Sequence, residues 1–363
     1  MSFDPIILRY TFDENHQKMN KAIFLLATSL VTLCAMAQNN IPMETIYICP
    51  PCNATCDKVE HNSPGVCSHC NMVLIKKSDS KTIAFYLQDG VEVLDFAGPM
   101  EVFAYAGYKV FTVSANKEPI KSQGILTVTP DYSVDNAPEA DILAFFGGNS
   151  GAASQNPKVI DWVQRQKNVQ YHFSVCTGAF VLAEAGILNG KTATTFHNAL
   201  DDLENNYQKI DVRKNVRFVD NGKVITTAGI SAGIDGALHL VAKLQGLNAA
   251  KRTAYYMEYD NWNLGNGLIL SEDNPYIKKK PISFFKNFEG TYQYENNAEL
   301  KLVFNEREGN LVANVNGASY PVYHEDQDIF SDVGNDPVFF QRNEAGKIIG
   351  YKLREDGRLF QKL

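Results

Sequence analysis

The chain has 363 residues, a formal net charge of −7 and 45% hydrophobic residues. This length exceeds one ordinary core, so two or three domains of a globular protein are expected. The acidic balance excludes binding to nucleic acid by charge alone, and we expect no nucleic-acid partner. Lys278, Lys279 and Lys280 form a short basic cluster, which we interpret as part of a solvated linker.

The N-terminus has the pattern of a secretory signal peptide. Lys18 and Lys21 precede an apolar run at 22–33, and Ala35-Met36-Ala37 supplies a small-residue cleavage site. The run is shorter than the roughly 20 residues that a membrane span needs. We therefore predict a signal peptide at about 19–37, no transmembrane segment after its removal, and a periplasmic or secreted protein.

Residues 1–37 are assigned to an N-terminal extension followed by this signal peptide, with Met19 expected as the natural start. Cys34 raises the alternative of a lipoprotein. The bulky Leu33 stands before it where a small residue is required, and this disfavours lipidation.

Residues 44–77 are predicted to form a small metal-binding module. Two Cys-x-x-Cys pairs, separated by fourteen residues, approximate a four-cysteine zinc site. The segment is too short to fold on an apolar core of its own, so a metal ion or disulfides must stabilise it. The predicted ligands are Cys49, Cys52, Cys67 and Cys70, and the predicted metal is zinc or another heavy metal such as copper.

Disulfide pairing is the alternative for this module, because exported proteins form disulfides. Its five cysteines cannot all pair with one another, which favours metal; Cys56, His61 and His69 are reserve ligands. The segment resembles the heavy-metal-binding module with its Y-x-C-P and P-G-x-C-P-x-C-G-M pattern. Ser68 and Asn71 depart from that pattern.

Strand and helix patterns alternate from residue 81 to 259, which predicts an α/β domain with a mainly parallel sheet and helices on both faces. The predicted strands are 81–87, 108–115, 125–128, 141–146, 171–175, 216–220 and 223–227. The predicted helices are 96–106, 157–167, a segment ending near 186, 234–244 and 249–258.

The strand at 171–175 leads through an abrupt turn into a helix, with Cys176 at the corner. Small residues at Gly178 and Ala179 let this helix start close to the strand. The corner of such a unit lies at the carboxyl edge of the sheet, where open α/β sheets bind ligands. A helix N-terminus favours the thiolate, so we expect a reactive Cys176 with a pKa below the ~8.5 of a free thiol. An inert core cysteine is the alternative.

Several motifs carry a family resemblance: the segment 89–99, Phe146-Gly147-Gly148, the segment 175–178, Ala193-Thr194-Thr195 and the segment 228–235. In this order they resemble the ThiJ/PfpI superfamily, and within it isocyanide hydratases and the amidase-like domain of AraC-type regulators. The resemblance implies a flavodoxin-like fold of the class I glutamine-amidotransferase type. It also implies a homodimer.

The resemblance implies that Cys176 is the nucleophile and that Asp95 hydrogen-bonds the thiol and assists proton transfer. The backbone N–H groups of Gly147, Gly148 and Thr177 are candidates for an oxyanion hole, and the Thr177 hydroxyl for a substrate contact. Two structural alternatives stay open. Gly147 and Gly148 can form merely a tight turn, and Asp95 can cap the helix predicted at 96–106.

Glu92 is an alternative acid, and His197 is a weak candidate for a base. Many members of the superfamily have a histidine beside or near the cysteine, but position 177 is Thr here and His197 follows Phe196. No histidine base is therefore carried over. His172 lies on the predicted strand, and we assign it a structural role.

Residues 284–363 are predicted to form a β-rich accessory domain, joined to the α/β domain by a linker at 260–283. The predicted strands are 290–294, 300–304, 310–314, 338–341, 348–353 and 359–362. The domain is similar to the small β-rich domains often appended to exported hydrolases. His324 is interpreted as a solvated residue without a catalytic role.

The sequence therefore predicts an exported cysteine-dependent enzyme of hydratase or hydrolase/amidase type that acts on a small electrophilic substrate. The alternative is a non-catalytic ligand- or redox-sensing protein, since an accessible low-pKa thiol is readily oxidised.

Overall fold

The structure is a computed structural model that describes residues 45–52, 54–260, 262–277 and 280–363. The signal peptide predicted at about 19–37 lies outside the described residues. From Thr45 onward the described chain forms one unit. Within it, no helix is both long enough and apolar enough to span a membrane.

The N-terminal module is a three-stranded antiparallel sheet. Its strands are β1 (Tyr47–Ile48), β2 (Glu60–His61) and β3 (Ile75–Lys76), and β1 pairs with both of the others. The buried residues at its centre are Cys49, Cys56, Cys67 and Leu74. Sulfur atoms therefore take the place of an apolar core in this module.

A mainly parallel eight-stranded sheet organises the central domain. Strands β4 to β15 are, in chain order, Thr82–Tyr86, Lys109–Ser114, Ile120–Ser122, Leu126–Val128, Tyr132–Ser133, Ile142–Phe145, Tyr171–Val175, Thr192–Ala193, Asp211–Val212, Phe218–Asp220, Val224–Thr227 and Leu268–Ile269. The sheet order is β15-β13-β14-β10-β9-β4-β5-β8, and only β13 and β14 pair antiparallel. Two-stranded ribbons β6-β7 and β11-β12 lie beside it. The predicted flavodoxin-like sheet is confirmed.

Helices cover both faces of this sheet, as predicted. Helices α1 to α8 are, in chain order, Val93–Tyr105, Gly151–Ser154, Pro157–Arg165, Ala179–Glu184, Leu200–Asn206, Ala232–Gln245, Leu247–Tyr256 and Ile282–Lys286. Alternate residues of β4 enter opposite cores: Phe85 packs with the cluster that contains Phe173, and Tyr86 packs with the cluster that contains Trp162. Helix α1 starts earlier than expected, with Glu92 at its N-cap position.

The C-terminal domain is an antiparallel meander. Strands β16 to β23 are Gly290–Gln293, Glu299–Asn305, Asn310–Val315, Ala318–Asp326, Ile329–Ser331, Pro337–Arg342, Ile348–Lys352 and Phe360–Gln361. Each strand pairs with the next, and a bridge between Tyr292 and Lys362 brings the ends together into a nearly closed barrel. Buried aromatic side chains such as Phe288, Phe330 and Phe340 fill its interior.

His324 differs from its interpretation as a solvated residue. Its ring lies against Phe284 and Phe330, with centroids 4.8 and 5.0 Å away, and burial lowers its pKa. The ring is half-buried because α8 covers this end of the barrel. Its Nε2 lies 3.0 Å from the carbonyl oxygen of Gln327.

The three parts of the described chain meet around helices α1 and α7. Ile75 of the N-terminal module packs on Gly107, where an added Cβ would lie 2.1 Å from the Ile75 side chain. Arg252 of α7 donates a 2.7 Å hydrogen bond to Ser331 of the barrel. A cavity of about 980 Å³ lies at this junction, and its lining includes Cys70, Met72 and Arg252.

Candidate active site and metal centre

Cys176 lies at a sharp turn between β10 and α4. Its backbone is left-handed, with φ of 58°, which is unusual for a residue with a side chain and recurs at functional sites. Gly178 allows the turn to pack on the neighbouring strand, since a Cβ there would lie 2.3 Å from the Phe145 carbonyl oxygen. The predicted corner is therefore present, and the side chain of Cys176 is 6% exposed.

Asp95 is fully buried beside this cysteine. One carboxylate oxygen accepts the backbone N–H of Gly147 and the other accepts that of Ile230, each at 2.9 Å. The Cys176 thiol also hydrogen-bonds to the carboxylate. A Cβ on Gly147 would lie 2.6 Å from Cys176 Sγ and 2.7 Å from Asp95 Oδ2. Only a glycine fits between the acid and the thiol.

Asp95 does not cap helix α1, because it lies inside the first turn and Glu92 holds the N-cap position. Its carboxylate faces the cysteine turn and not the helix backbone. Burial raises the pKa of Asp95 to about 6, the hydrogen bonds from Gly147 and Ile230 lower it, and the charge of Glu92 raises it slightly. At neutral pH this carboxyl is therefore mostly ionised but close to its titration range.

The expectation of a low thiol pKa is wrong. Burial and then the negative charge of Asp95 raise the pKa of Cys176 to about 12, although the N–H groups of Thr177 and Gly148 lower it. Helix α4 has only six residues, so its N-terminus does not outweigh burial in the core. The resting state is a neutral thiol beside a carboxylate, an arrangement in which the carboxylate can act as the base for the thiol.

The predicted oxyanion-hole residues divide into two groups. The N–H groups of Gly148 and Thr177 point at Cys176 Sγ. The N–H of Gly147 instead binds Asp95 and holds the carboxylate in position. The Thr177 hydroxyl donates a long 3.4 Å hydrogen bond to the Gly148 carbonyl. Gly148 has a φ of 80°, and a Cβ there would collide with the Gly90 carbonyl at 2.3 Å.

The weaker candidates have other surroundings. The Glu92 carboxylate accepts a hydrogen bond from Gln123, outside the contact between Asp95 and the thiol. His197 is exposed and its ring packs on Phe196, with centroids 4.2 Å apart. Burial lowers the pKa of His172 to about 4, so this histidine is neutral at physiological pH. None of these three side chains is a base in contact with the thiol.

The N-terminal module brings its sulfur atoms together. The thiols of Cys49, Cys52, Cys56 and Cys70 lie within 4.8 Å of one another, a group that can hold a metal ion. This group differs from the predicted ligand set at one position: Cys56 belongs to it and Cys67 does not. The physical reason is the 3₁₀ turn Thr55–Lys58, which brings Cys56 back to 3.4 Å from Cys52.

Cys67 remains next to this group. Its sulfur accepts the backbone N–H groups of Cys70 and His69, which lower its pKa to about 7, and it also contacts Cys49 and Cys70. The reserve ligand His69 has its Nδ1 3.7 Å from Cys56 Sγ. His61 is outside the group, and its Nε2 is buried without a hydrogen-bond partner among the described residues. These donors fit a soft, thiolate-binding metal ion.

Comparison with known proteins identifies the central domain. Residues 81–243 match the DJ-1/PfpI family. The chain is 35% identical over 180 residues to the isonitrile hydratase of Pseudomonas putida, a match that covers 49% of this chain and 78% of that enzyme. This chain belongs to the DJ-1/PfpI family. The predicted superfamily is thus confirmed.

The DJ-1/PfpI domain is also similar to transcriptional regulators. It is 28% identical over 174 residues to the HTH-type transcriptional regulator CdhR of Pseudomonas aeruginosa, covering 46% of this chain and 52% of the regulator. The match thus spans about half of the regulator's length. Among solved structures, a ThiJ/PfpI family protein from Pseudomonas syringae shows 28% identity and a TM-score of 0.47. The alignment covers 52% of this chain and 78% of that protein.

Three residues that hold the site of the DJ-1/PfpI domain in place by hydrogen bonds were not predicted from the sequence. Ile230, with φ of 55°, aims its N–H at Asp95. The Thr195 hydroxyl donates a 2.6 Å hydrogen bond to the Cys176 carbonyl, and Gln88 Nε2 donates to the carbonyls of Phe146 and Gly147 at 3.0 Å. Two of these residues lie in motifs that the sequence does show. Their roles depend on backbone directions that residue types do not encode.

Proposed function

We propose that the DJ-1/PfpI domain is a cysteine-dependent hydratase of small electrophilic carbon–nitrogen compounds, with isonitriles as the first substrate class to test. The contact between the neutral Cys176 thiol and the Asp95 carboxylate carries this proposal. The 35% identity to isonitrile hydratase supports the choice of substrate. Hydrolysis of a small amide is the neighbouring reaction that the same residues can perform.

In the first step, the thiol adds to the terminal carbon of the isonitrile. The S–H bond breaks, Asp95 takes the proton and returns it to that carbon, and a C–S bond forms to give an enzyme-bound thioimidate, R–N=CH–S. Negative charge that develops on sulfur is stabilised by the N–H groups of Gly148 and Thr177. A base held at hydrogen-bond distance is the geometry that general base catalysis requires.

In the second step, water adds to the thioimidate carbon and its proton reaches the nitrogen through Asp95. The C–S bond then breaks, the hydroxyl proton returns to sulfur, and an N-substituted formamide leaves. One isonitrile and one water give one formamide, and the thiol is regenerated. Asp95 thus moves a proton in each step, which suits a carboxyl with a pKa of about 6.

Turnover of a simple alkyl isonitrile, followed by formamide production, tests this function. Cys176→Ser should lower kcat/KM by ~10³-fold or more, as expected when a nucleophile is lost. The control is Ser174→Ala on the same strand, whose buried hydroxyl has no hydrogen-bond partner in the described structure. It should keep full activity. Equal activity in wild type and Cys176→Ser would refute the proposal that the domain is a cysteine-dependent hydratase.

A second candidate function, ligand sensing, is favoured by the likeness to the regulator CdhR. A sensor would bind the small molecule without turning it over. Calorimetric binding of an isonitrile or formamide in both wild type and Cys176→Ser, with no product in either, would support sensing over catalysis.

The N-terminal module is proposed to hold one zinc ion through the four-thiol group. The mutual distances within 4.8 Å support it, because four thiolates at Zn–S distances of ~2.3 Å lie about 3.8 Å apart. Elemental analysis should find about one zinc per chain. A Cys49→Ser, Cys70→Ser double variant should bind none. Disulfides among these cysteines in the native protein would contradict the site.

Export and dimerisation are further proposals, supported by the signal-peptide pattern and by the family resemblance. The mature chain should begin at Gln38 outside the cytoplasm and form a homodimer. Mass spectrometry of the native N-terminus and light scattering of the purified protein test these two points. A cytosolic chain beginning at Met1 would contradict export.

A further inference from the structure

We propose that the N-terminal module binds two Cu(I) ions in a cluster of five thiolates, in addition to its capacity for one zinc ion. The five-thiol cluster comprises Cys49, Cys52, Cys56, Cys67 and Cys70, all of them free thiols in the structure. The inference rests on the proposed metal role of this module and extends it to the class and number of ions.

The first observation is the arrangement of the sulfur atoms in pairs. Cys49 and Cys70 lie 3.2 Å apart, and Cys52 and Cys56 lie 3.4 Å apart. The four sulfur ligands of one tetrahedral zinc ion are spaced equally at about 3.8 Å, a spacing that these thiols reach by small shifts. The two close pairs also provide two sites, each of which can bind an ion that takes fewer ligands than zinc.

The second observation is the fifth thiol. Cys67 is 2% exposed and packs in one cluster with Cys49 and Cys70. One tetrahedral ion leaves one of these thiols unused in a buried position. Cu(I) is a soft ion that favours thiolates and accepts fewer ligands than zinc. Two such ions that share one bridging sulfur use all five thiols.

The third observation is the surroundings of the cluster. Cys52 and Cys70 are partly exposed, whereas the other three thiols are buried. Cys70 and Met72 line the cavity of about 980 Å³ at the junction with α7 and the barrel. A thioether and a thiol in the lining offer soft ligands to an arriving Cu(I) ion. Binding releases the thiol protons to solvent and transfers no electrons, since copper enters as Cu(I).

Anaerobic titration of the reduced, metal-free full chain with Cu(I), against a competing chelator, tests the proposal. Copper per chain is measured by elemental analysis, and cluster formation by the luminescence of shielded Cu(I)–thiolate centres. We expect about two copper ions per wild-type chain. Cys176→Ser is the matched control: it removes a buried thiol in another domain and should also bind about two.

The informative variant is Cys67→Ser, which removes the fifth thiol but leaves the four-thiol group. It should bind about one copper ion and still bind about one zinc ion, and this zinc binding shows that the module folds. One copper per wild-type chain, or two in Cys67→Ser, would overturn the two-ion cluster while the zinc role stands. Loss of zinc by Cys67→Ser would make Cys67 a zinc ligand and overturn its assignment as the fifth thiol. Failure of wild type to bind either metal would remove both proposals.

Discussion

Cysteine occupies different positions in the cores of two regions of this protein. In the DJ-1/PfpI domain, Cys176 lies in a core built by aromatic and aliphatic side chains such as Phe146 and Phe173. In the N-terminal module, cysteines make up most of the core, and Leu74 is the non-cysteine residue buried with them. The first fold determines what its cysteine does. In the second, we expect metal binding by the cysteines to stabilise the fold.

Residue type alone does not set the chemistry of a thiol in these two regions. Burial and the Asp95 carboxylate keep Cys176 protonated, with a pKa of about 12. Two backbone N–H groups lower the pKa of Cys67 to about 7. The central thiol therefore needs a base before it reacts. In the module, burial and neighbouring side chains raise the pKa of Cys49, Cys52 and Cys56, so a metal ion that binds them must displace their protons.

Metal removal should have the largest effect, because it acts on the region whose core is made of cysteines. Structural metal sites contribute on the order of 10 kcal/mol, and the core of the module consists mostly of cysteine side chains. In chelated, reduced protein, the amides of Cys67 and Leu74, which hydrogen-bond within the module, should lose protection from hydrogen exchange. The amides of β4 should stay protected. An equally protected module without metal would show that its fold does not depend on the ion.

Replacement of the base tests the central site. Asp95→Asn should lower kcat/KM by about 10²–10⁴-fold, because the amide cannot take the thiol proton and cannot accept both backbone N–H groups. Asp131→Asn is the control, since the Asp131 carboxylate binds the backbone and hydroxyl of Thr112 at the surface. If both variants keep wild-type rates of isonitrile hydration, Asp95 is not the base.

Crowding between the acid and the thiol should have a smaller effect. Gly147→Ala places a methyl group 2.6 Å from Cys176 Sγ, so the two reacting groups must separate. We expect a loss of ~10²-fold in kcat, as for a displacement of about 1 Å. Gly151→Ala is the matched control, since its nearest neighbour would be 3.8 Å away. Similar kinetics for the two variants would contradict the proposed contact.

The mildest test is the pH profile. Because the Asp95 pKa is raised to about 6, the carboxylate that accepts the proton is present above this pH and is lost as the pH falls through it. We expect kcat/KM to reach a plateau near neutral pH and to fall about tenfold per unit below pH 6. Because the pKa of the Cys176 thiol is about 12, kcat/KM should show no further rise near pH 8. An acidic limb that persists unchanged in Asp95→Asn would assign the titration to another group.

Much of the fold could be predicted from local patterns. Phe85 and Tyr86 alternate between two buried faces, and strand segments alternate with helices, which suffices for a parallel sheet covered on both sides. Element ends were less predictable. Helix α1 begins at Val93 and not at the expected 96, and no side-chain cap marks its start. Strand β19 was missed because Pro321 and polar residues interrupt its pattern.

The candidate site could be predicted in its residue types but not in its electrostatics. The motifs contain Cys176, Asp95 and Gly147, and the structure brings these three residues into contact. Nothing in the sequence shows that the N–H of Gly147 binds Asp95 and is unavailable to a substrate. In the module, the Cys-x-x-Cys spacing points to Cys67, whereas the turn at Thr55–Lys58 brings Cys56 into the four-thiol group.

Periodicity and short-range motifs in the sequence specify the family, the flavodoxin-like sheet and the position of Cys176 at the end of β10. The tertiary structure alone decided the pKa values of Cys176 and Asp95 and the number of thiols that meet in the module. Those properties depend on burial and on contacts between residues that are distant in the chain. Desolvation and the direction of backbone N–H groups arise only when the elements pack together.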